Sequence, residues 1–391
     1  MTITNDTRQS GTAVTPNEVL AAASRLAPII AGRGADIESA RRVPRDILDR
    51  LIADGCFRIT LPVSHGGSGA DLPTAMRMAE TLASGDASVA WITMLGATAW
   101  CDLAGLPRRS FDAIFAKNPD VIVAAVINPT GSITAVGDSY RVSGRWSFAS
   151  GCEHADMLFG NCIEGTVDGV PQMRGAVLPA DSVTIEDTWN VSGLCGTGSH
   201  HFRVDDLVVQ RELTFRPLVD EPCIDEIAVH IPPPALISLS IASIALGIAQ
   251  GALSDIVALA LRKTPLLAPG PLATNSLFQS ELATADTDLR AARALLYETA
   301  ESLWAGATRG PLTLEQRARI RASAVWATER ATGVVDTAYR AGGGSAIYTD
   351  NPLQRRFRDI HALTQHFLVR RDTMTTAGAI LAGQDPKVMI F

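Results

Sequence analysis

Two stretches of this 391-residue chain hold side chains of a kind that does chemistry. The first runs from Gly342 to His366, GGGSAIYTDNPLQRRFRDIHALTQH. Its glycines, Gly343 and Gly344 among them, let backbone approach a ligand or a partner closely. Asn351-Pro352 then breaks the chain and starts a basic, helix-like segment. Arg355, Arg356 and Arg358 on it carry guanidinium groups that suit phosphate. The segment ends on His366, whose imidazole ordinarily titrates near neutrality and can give or take a proton. His361, five residues earlier, falls on a different helix face and reads as structural or supporting. The second stretch is GRWSFASGCEHAD, in which Trp146 and Phe148 alternate with Ser147 and Ala149. One face of such a strand can supply an aromatic wall, although both rings could equally be core. His200 and His201 are adjacent on a β-like segment and so point to opposite faces, which argues against a shared metal. The six cysteines show no Cys-x-x-Cys pair and no zinc spacing, so reduced thiols are expected.

These side chains need elements to position them. Residues 16–119 read as helical, with apolar residues at helical spacing in NEVLAAASRLAPIIA and PRDILDRLIADGCF. Pro44 suits a helix start and Gly55 a helix end. Residues 120–219 read as short β-strands bounded by Gly, Pro, Asn and Asp, which suggests an antiparallel barrel or sandwich. Residues 220–391 are helical again, and residues 1–15 read as a disordered tail. The run from Ala235 to Leu261 is apolar enough to be mistaken for a membrane span. Ser238, Ser240, Ser243, Gln250, Ser254 and Asp255 are spread around it, which favours a helix buried in a bundle. A net charge of −7 without a basic tract argues against nucleic acid as a partner. The polar N-terminus lacks an apolar signal core, so a cytoplasmic protein without a membrane anchor is expected. No Gly-x-Gly-x-x-Gly follows a strand, so no nicotinamide site is expected.

The order helices, β domain, helices, together with LPVSHGGSGAD, GRWSFASGCEHAD, SGLCGTGSHHFRVDDLVV and NPLQRRFRDIHALTQH, resembles the acyl-CoA dehydrogenase fold. The resemblance is closest to the branch of two-component flavin-dependent monooxygenases and covers roughly Pro16 to Gly383. It implies an α+β multidomain protein: an N-terminal helical domain, a central antiparallel β-barrel or sandwich, and a C-terminal four-helix bundle. It places the flavin between the β domain and the C-terminal helices. There Ser150 would hydrogen-bond flavin nitrogen 5, a turn serine being the alternative, and Trp146, Phe148, Gly151 and Thr197 would lie near the ring. Val126 and Asn128 would run along the ring edge, with Asn128-Pro129 replacing the usual Glu-Pro. Arg358 would meet the flavin phosphate. Gly343 and Gly344 would reach the flavin of a neighbouring subunit in a homotetramer. Trp91, Leu95 and Thr98 would line the substrate pocket. His366 matches a catalytic histidine of the branch, simple subunit packing being the alternative.

Departures from the resemblance narrow it. A dehydrogenase needs a glutamate base nine residues beyond Arg358, where Phe367 stands, or on the helix from Ala235 to Leu261, whose one acid is Asp255. Thr98 occupies a position where phenol hydroxylases carry a histidine, which argues against a simple phenol as substrate. APGPLATNSLF lacks the arginine of FAD-holding members, which favours diffusible reduced FMN over tightly bound FAD. The expected activity is therefore that of an oxygenase component, supplied by a separate NAD(P)H flavin reductase. It would use O2, through a flavin hydroperoxide, to hydroxylate a small aromatic or polycyclic molecule. An FAD-dependent dehydrogenase with an unusual base and a non-catalytic binding protein are the rival expectations.

Overall fold

The computed structural model describes residues 14–116, 118–307 and 310–386. Of the tail expected at residues 1–15, only Val14 and Thr15 fall among them, and the rest lies outside the described residues. Thr15 caps α1 (Pro16–Ala31), its hydroxyl accepting from the Glu18 N–H while the Glu18 carboxylate accepts from the Thr15 N–H. After α2 (Gly34–Ala40), Pro44 precedes α3 (Arg45–Ala53), and Gly55 follows it at φ +77°. Two longer helices come next, α4 (Leu72–Gly85) and α5 (Ala87–Leu103), then α6 (Arg108–Phe115). The buried carboxylate of Asp86 starts α5 by accepting from the Ser88 and Val89 N–H groups.

Seven strands form one sheet: β1 (Val123–Val136), β2 (Ser139–Ala149), β3 (Met157–Val167), β4 (Val170–Pro179), β5 (Thr184–Glu186), β6 (His200–Gln210) and β7 (Thr214–Phe215). Their order is β5-β6-β2-β1-β3-β4-β7. The sheet is mixed rather than wholly antiparallel. The chain leaves β2, turns back through residues 150–156 and lays β3 on the far edge of β1, running the same way as β1. Pairing of β1 with β2 stops at Ser132↔Ser143, and just beyond it the indole of Trp146 fills the sheet's own core. A Cβ on Gly131, Gly144 or Gly160 would lie 2.2, 2.8 or 2.7 Å from that ring, so only glycine admits it. Trp146 is fully buried, stacks on Phe202 at 4.8 Å and donates its Nε1–H to the Asn161 carbonyl at 2.7 Å. Trp146→Ala is accordingly expected to cost about 3–5 kcal/mol in a denaturant titration.

After the sheet come α7 (Pro233–Arg262), α8 (Ser276–Ala307), α9 (Leu314–Gly342), α10 (Pro352–Leu363) and α11 (Thr373–Leu381). The apolar window of α7 is 89% buried, so its hydrophobicity faces protein on every side. It packs on α8, α9 and α10 of its own bundle and equally on α4, where the Gly247 backbone approaches the Glu80 carbonyl closely. Helices before and after the sheet therefore share one continuous apolar core. That shared core sets α5 against β1, and α10 is tied through Asp359 to the turn that precedes β6.

Candidate active site

The site begins where β2 loses its regular pleat. Inward residues alternate at Tyr140, Val142 and Trp146, then the register with β6 shifts before Ala149. The shift is absorbed at Phe148, which adopts φ +66°, a left-handed conformation that costs an L-residue about 1–2 kcal/mol. The two aromatics consequently part company. Trp146 stays in the core, which corrects the expected aromatic wall and removes Trp146 from the site. Phe148 turns outward and is 68% exposed, with the rings of Trp189 and His201 set edge-on at 6.0 and 6.3 Å. Gly151, at φ +74°, donates its N–H to the Thr197 carbonyl at 2.8 Å and fixes the turn.

Between Phe148 and Gly151 stands Ser150. Its Oγ accepts the Trp91 Nε1–H at 3.2 Å and lies 2.7 Å from the Ser199 Oγ. Ser199 Oγ is in turn 2.7 Å from Thr197 Oγ1, which donates to the Leu194 carbonyl at 2.8 Å. That carbonyl also accepts the Thr197 N–H and the Trp189 Nε1–H, each at 3.1 Å. The Leu194 N–H donates to Asp359 Oδ1 on α10 at 2.7 Å, so the whole turn is fastened to the C-terminal helices. Burial, with Asp86 nearby, pushes the Asp359 carboxyl up to about 7. Ser199 is the member that sequence reading missed. Its signal was the alternation of hydroxyls at Thr197 and Ser199 on the way into β6.

Trp91 projects from α5 and is almost fully buried. Its ring meets Ser150 at the nitrogen and His366 edge-on, with centroids 5.6 Å apart. His366 lies beyond the last turn of α10 rather than within it, held by a hydrogen bond from its own N–H to the Leu363 carbonyl. Its Nδ1 accepts the Leu368 N–H at 3.3 Å, so the neutral ring carries its proton on Nε2. Burial, reinforced by the Arg321 guanidinium, pushes this imidazole down to about 4. The near-neutral titration expected of His366 is thereby corrected: at pH 7 it is an uncharged N–H donor. Trp91, Ser150 and His366 thus form one constellation from three separated parts of the chain.

The other predicted residues make contacts of their own. Thr98 donates its hydroxyl back along α5 to the Met94 and Leu95 carbonyls at 3.0 and 3.3 Å, and Leu95 is half-buried one position before Gly96. Val126 belongs to the sheet core, while Asn128 is exposed beyond the irregularity in β1. Arg358 is tied to Glu38 at 2.5 Å, the Ser192 carbonyl at 2.6 Å and Gln354 at 2.8 Å, so its guanidinium braces α2 and the 193–199 turn against α10. Arg356 is held by Asp255 and the Ser84 carbonyl, and Arg355 lies 4.0 Å from Asp86. Gly343 and Gly344 are exposed, Gly343 at φ +51° and Gly344 with open space around it, beside exposed Ile347 and Tyr348. His361 pairs with Asp336 at 3.0 Å, away from Trp91. A cleft of about 400 Å³ lined by Arg41, Arg42, Glu153, Asp187 and His200 holds none of the constellation, and its arginines are paired.

Comparison with known proteins identifies the family. Residues 21–104 match the family described as acyl-CoA dehydrogenase, N-terminal domain, and residues 239–371 match acyl-CoA dehydrogenase, C-terminal domain. The chain is 30% identical over 356 residues to an indole-3-acetate monooxygenase of Pseudomonas putida, covering 90% of each chain. It is 30% identical over 366 residues to the oxygenase subunit HsaA, a flavin-dependent monooxygenase of Mycobacterium tuberculosis, covering 89% of this chain and 91% of that one. The crystal structure of a 3-HSA hydroxylase from Rhodococcus sp. RHA1 superposes with a TM-score of 0.85 at 27% identity, over 95% of this chain and 98% of that one.

Proposed function

This chain belongs to the acyl-CoA dehydrogenase family, in its branch of flavin-dependent monooxygenases, and from that premise we propose that Trp91, Ser150 and His366 are its oxygenation site. It is an oxygenase component, and a separate reductase supplies its reduced flavin, FMN being favoured because APGPLATNSLF carries no arginine, with FAD the alternative, as in a relative named FADH2-dependent. The observation that carries the reading is the placement of Trp91 between a hydroxyl with a lone pair still open and a neutral imidazole with an Nε2–H to donate. Among the described residues that Nε2–H has no acceptor. A flavin ring fits here because Phe148 turns a bare aromatic face outward next to Ser150, at the expense of backbone strain.

When bound, the flavin supplies the oxygen chemistry. The chain's own work is to orient the ring through Ser150 and Phe148, to exclude water with Trp91, and to hold a proton on His366 Nε2. Phosphate recognition by Arg358 would fall to its Nη2, since Nε and Nη1 are already engaged within the chain. Exposed Gly343, Gly344, Ile347 and Tyr348 support a homotetramer in which this loop completes a neighbour's flavin site. An aromatic substrate is supported by the indole and imidazole walls and by relatives named for indole-3-acetate and resorcinol. Thr98 offers no base, because a threonine hydroxyl does not take up a proton near neutral pH, so a substrate that needs no deprotonation suits the pocket better than a simple phenol.

The dehydrogenase alternative loses its remaining candidate base. Phe367 is an exposed apolar ring, and Asp255, the acid of α7, is locked to Arg356. The test is to mix the protein with anaerobically reduced FMN and then with oxygenated buffer. Oxygen consumption is expected to precede the return of oxidised-flavin absorbance by at least tenfold in time. Simultaneous traces, identical to those of free flavin, would overturn the reading.

A further inference from the structure

The hydroxyl chain behind Ser150 has a direction. Thr197 Oγ1 can reach the Leu194 carbonyl only as a donor, so its bond to Ser199 must be one that it accepts. Ser199 therefore donates to Thr197, and its bond to Ser150 must be accepted from Ser150. Trp91 Nε1 can only donate. The run reads Trp91 N–H to Ser150 O–H to Ser199 O–H to Thr197 O–H to the Leu194 carbonyl, with Thr197 and Ser199 almost wholly buried. Water has little access with which to reverse it. Reversal would also turn the hydrogen of Thr197 away from the Leu194 carbonyl, which it reaches at 2.8 Å.

We propose that this chain makes Ser150 a hydrogen-bond acceptor toward its ligand, so that the site selects reduced over oxidised flavin, with Ser199 and Thr197 as the positioning residues. The inference rests on the assignment of Ser150 to the flavin ring. Reduced flavin carries a hydrogen on nitrogen 5 and donates; oxidised flavin presents a lone pair there and needs a donor. A serine whose hydrogen is already committed satisfies the first and opposes the second. In a two-component enzyme that preference has a use. Spent, oxidised flavin is released to the reductase, and the reduced form is retained until oxygen arrives.

One buried hydrogen bond made or left unmade corresponds to roughly a tenfold or greater difference in affinity. The experiment is anaerobic ultrafiltration of the full-length protein with oxidised FMN and with dithionite-reduced FMN, giving two dissociation constants whose ratio is independent of the fraction folded. Ser199→Ala and Thr197→Val each release the Ser150 hydrogen. Both are expected to tighten oxidised FMN and to lower the wild-type ratio about tenfold. The midpoint potential of the bound flavin, read by spectroelectrochemistry, should fall by about 30 mV with it. Ser150→Ala is expected to weaken reduced FMN instead. If Ser150→Ala changes neither affinity, Ser150 does not face the flavin, and the assignment falls together with the selection. If Ser150→Ala weakens reduced FMN while both relay variants keep the wild-type ratio, the assignment stands and the directional chain is overturned.

Discussion

Ser150→Ala is expected to collapse the interval between oxygen consumption and flavin reoxidation by about 10- to 100-fold, with the lost turnover appearing as free hydrogen peroxide. The magnitude is that of one buried hydrogen bond removed together with the disorder that its loss introduces. Ser150 is the only group among the described residues that accepts the Trp91 Nε1–H, and it supplies the donor hydrogen for Ser199. Deleting the hydroxyl leaves an indole N–H without an acceptor beside the reaction space. Water drawn in to satisfy it is the agent that discharges activated oxygen unproductively. Ser150→Thr keeps the hydroxyl and is expected to restore most of the interval. The check is a stopped-flow record of reoxidation beside a peroxidase-coupled peroxide assay. An alanine variant with wild-type timing and wild-type peroxide release would remove Ser150 from the chemistry and leave it as a turn residue.

The path from sequence to this site was legible where local pattern and global packing agree. Helix α5 falls within the residues read as helical because Asp86 caps it and most of its residues are apolar. The buried nature of α7 was legible in its scattered serines, each of which folds its hydroxyl back onto a helix carbonyl. Trp146 and Phe148 were misread as a pair because period-two alternation holds only while a strand is regular. The glycines at 131, 144 and 160 that claim Trp146 for the core come from three different strands, and that convergence has no signature in local spacing. The bulge at Phe148 likewise depends on how β6 pairs, a long-range fact.

Arg358 and His366 show a second kind of limit. Residue type marked both as candidates, but type does not reveal which neighbours arrive first. Glu38, more than three hundred positions away in the chain, occupies the guanidinium of Arg358. Burial and Arg321 set the protonation of His366, and neither lies within its own segment. Missing groups were more informative than present ones. The absence of a carboxylate at Phe367 was visible once the resemblance named the position, and the structure adds only that Asp255 is also engaged.

His366 carries the other large effect. His366→Ala is expected to lower product formation about 100-fold, while His366→Gln, which keeps an uncharged N–H donor, should recover part of it. The pH profile separates a neutral donor from an ordinary acid. With its imidazole pushed down to about 4, His366 contributes no inflection to turnover between pH 5.5 and 8.5, and its charging appears only toward pH 4. A wild-type break near pH 6.5 that vanishes in His366→Gln would overturn the neutral assignment. Stability should follow the same proton. The unfolded chain binds it near 6.5, whereas the folded protein resists until about 4, so unfolding is favoured as pH falls through that window. The stabilisation is complete above 6.5 and lost on the way down, up to about 3 kcal/mol at about 1.36 kcal/mol per unit. Denaturant titrations of the wild type and His366→Gln at pH 7.5 and 4.5 isolate this contribution. His154, which burial also pushes down to about 4, is present in both proteins and cancels from the difference. The wild type should lose about 2–3 kcal/mol relative to the variant between the two pH values. An unchanged difference would mean that the imidazole is already hydrated and charged, and so unfit to hold a proton in a dry site.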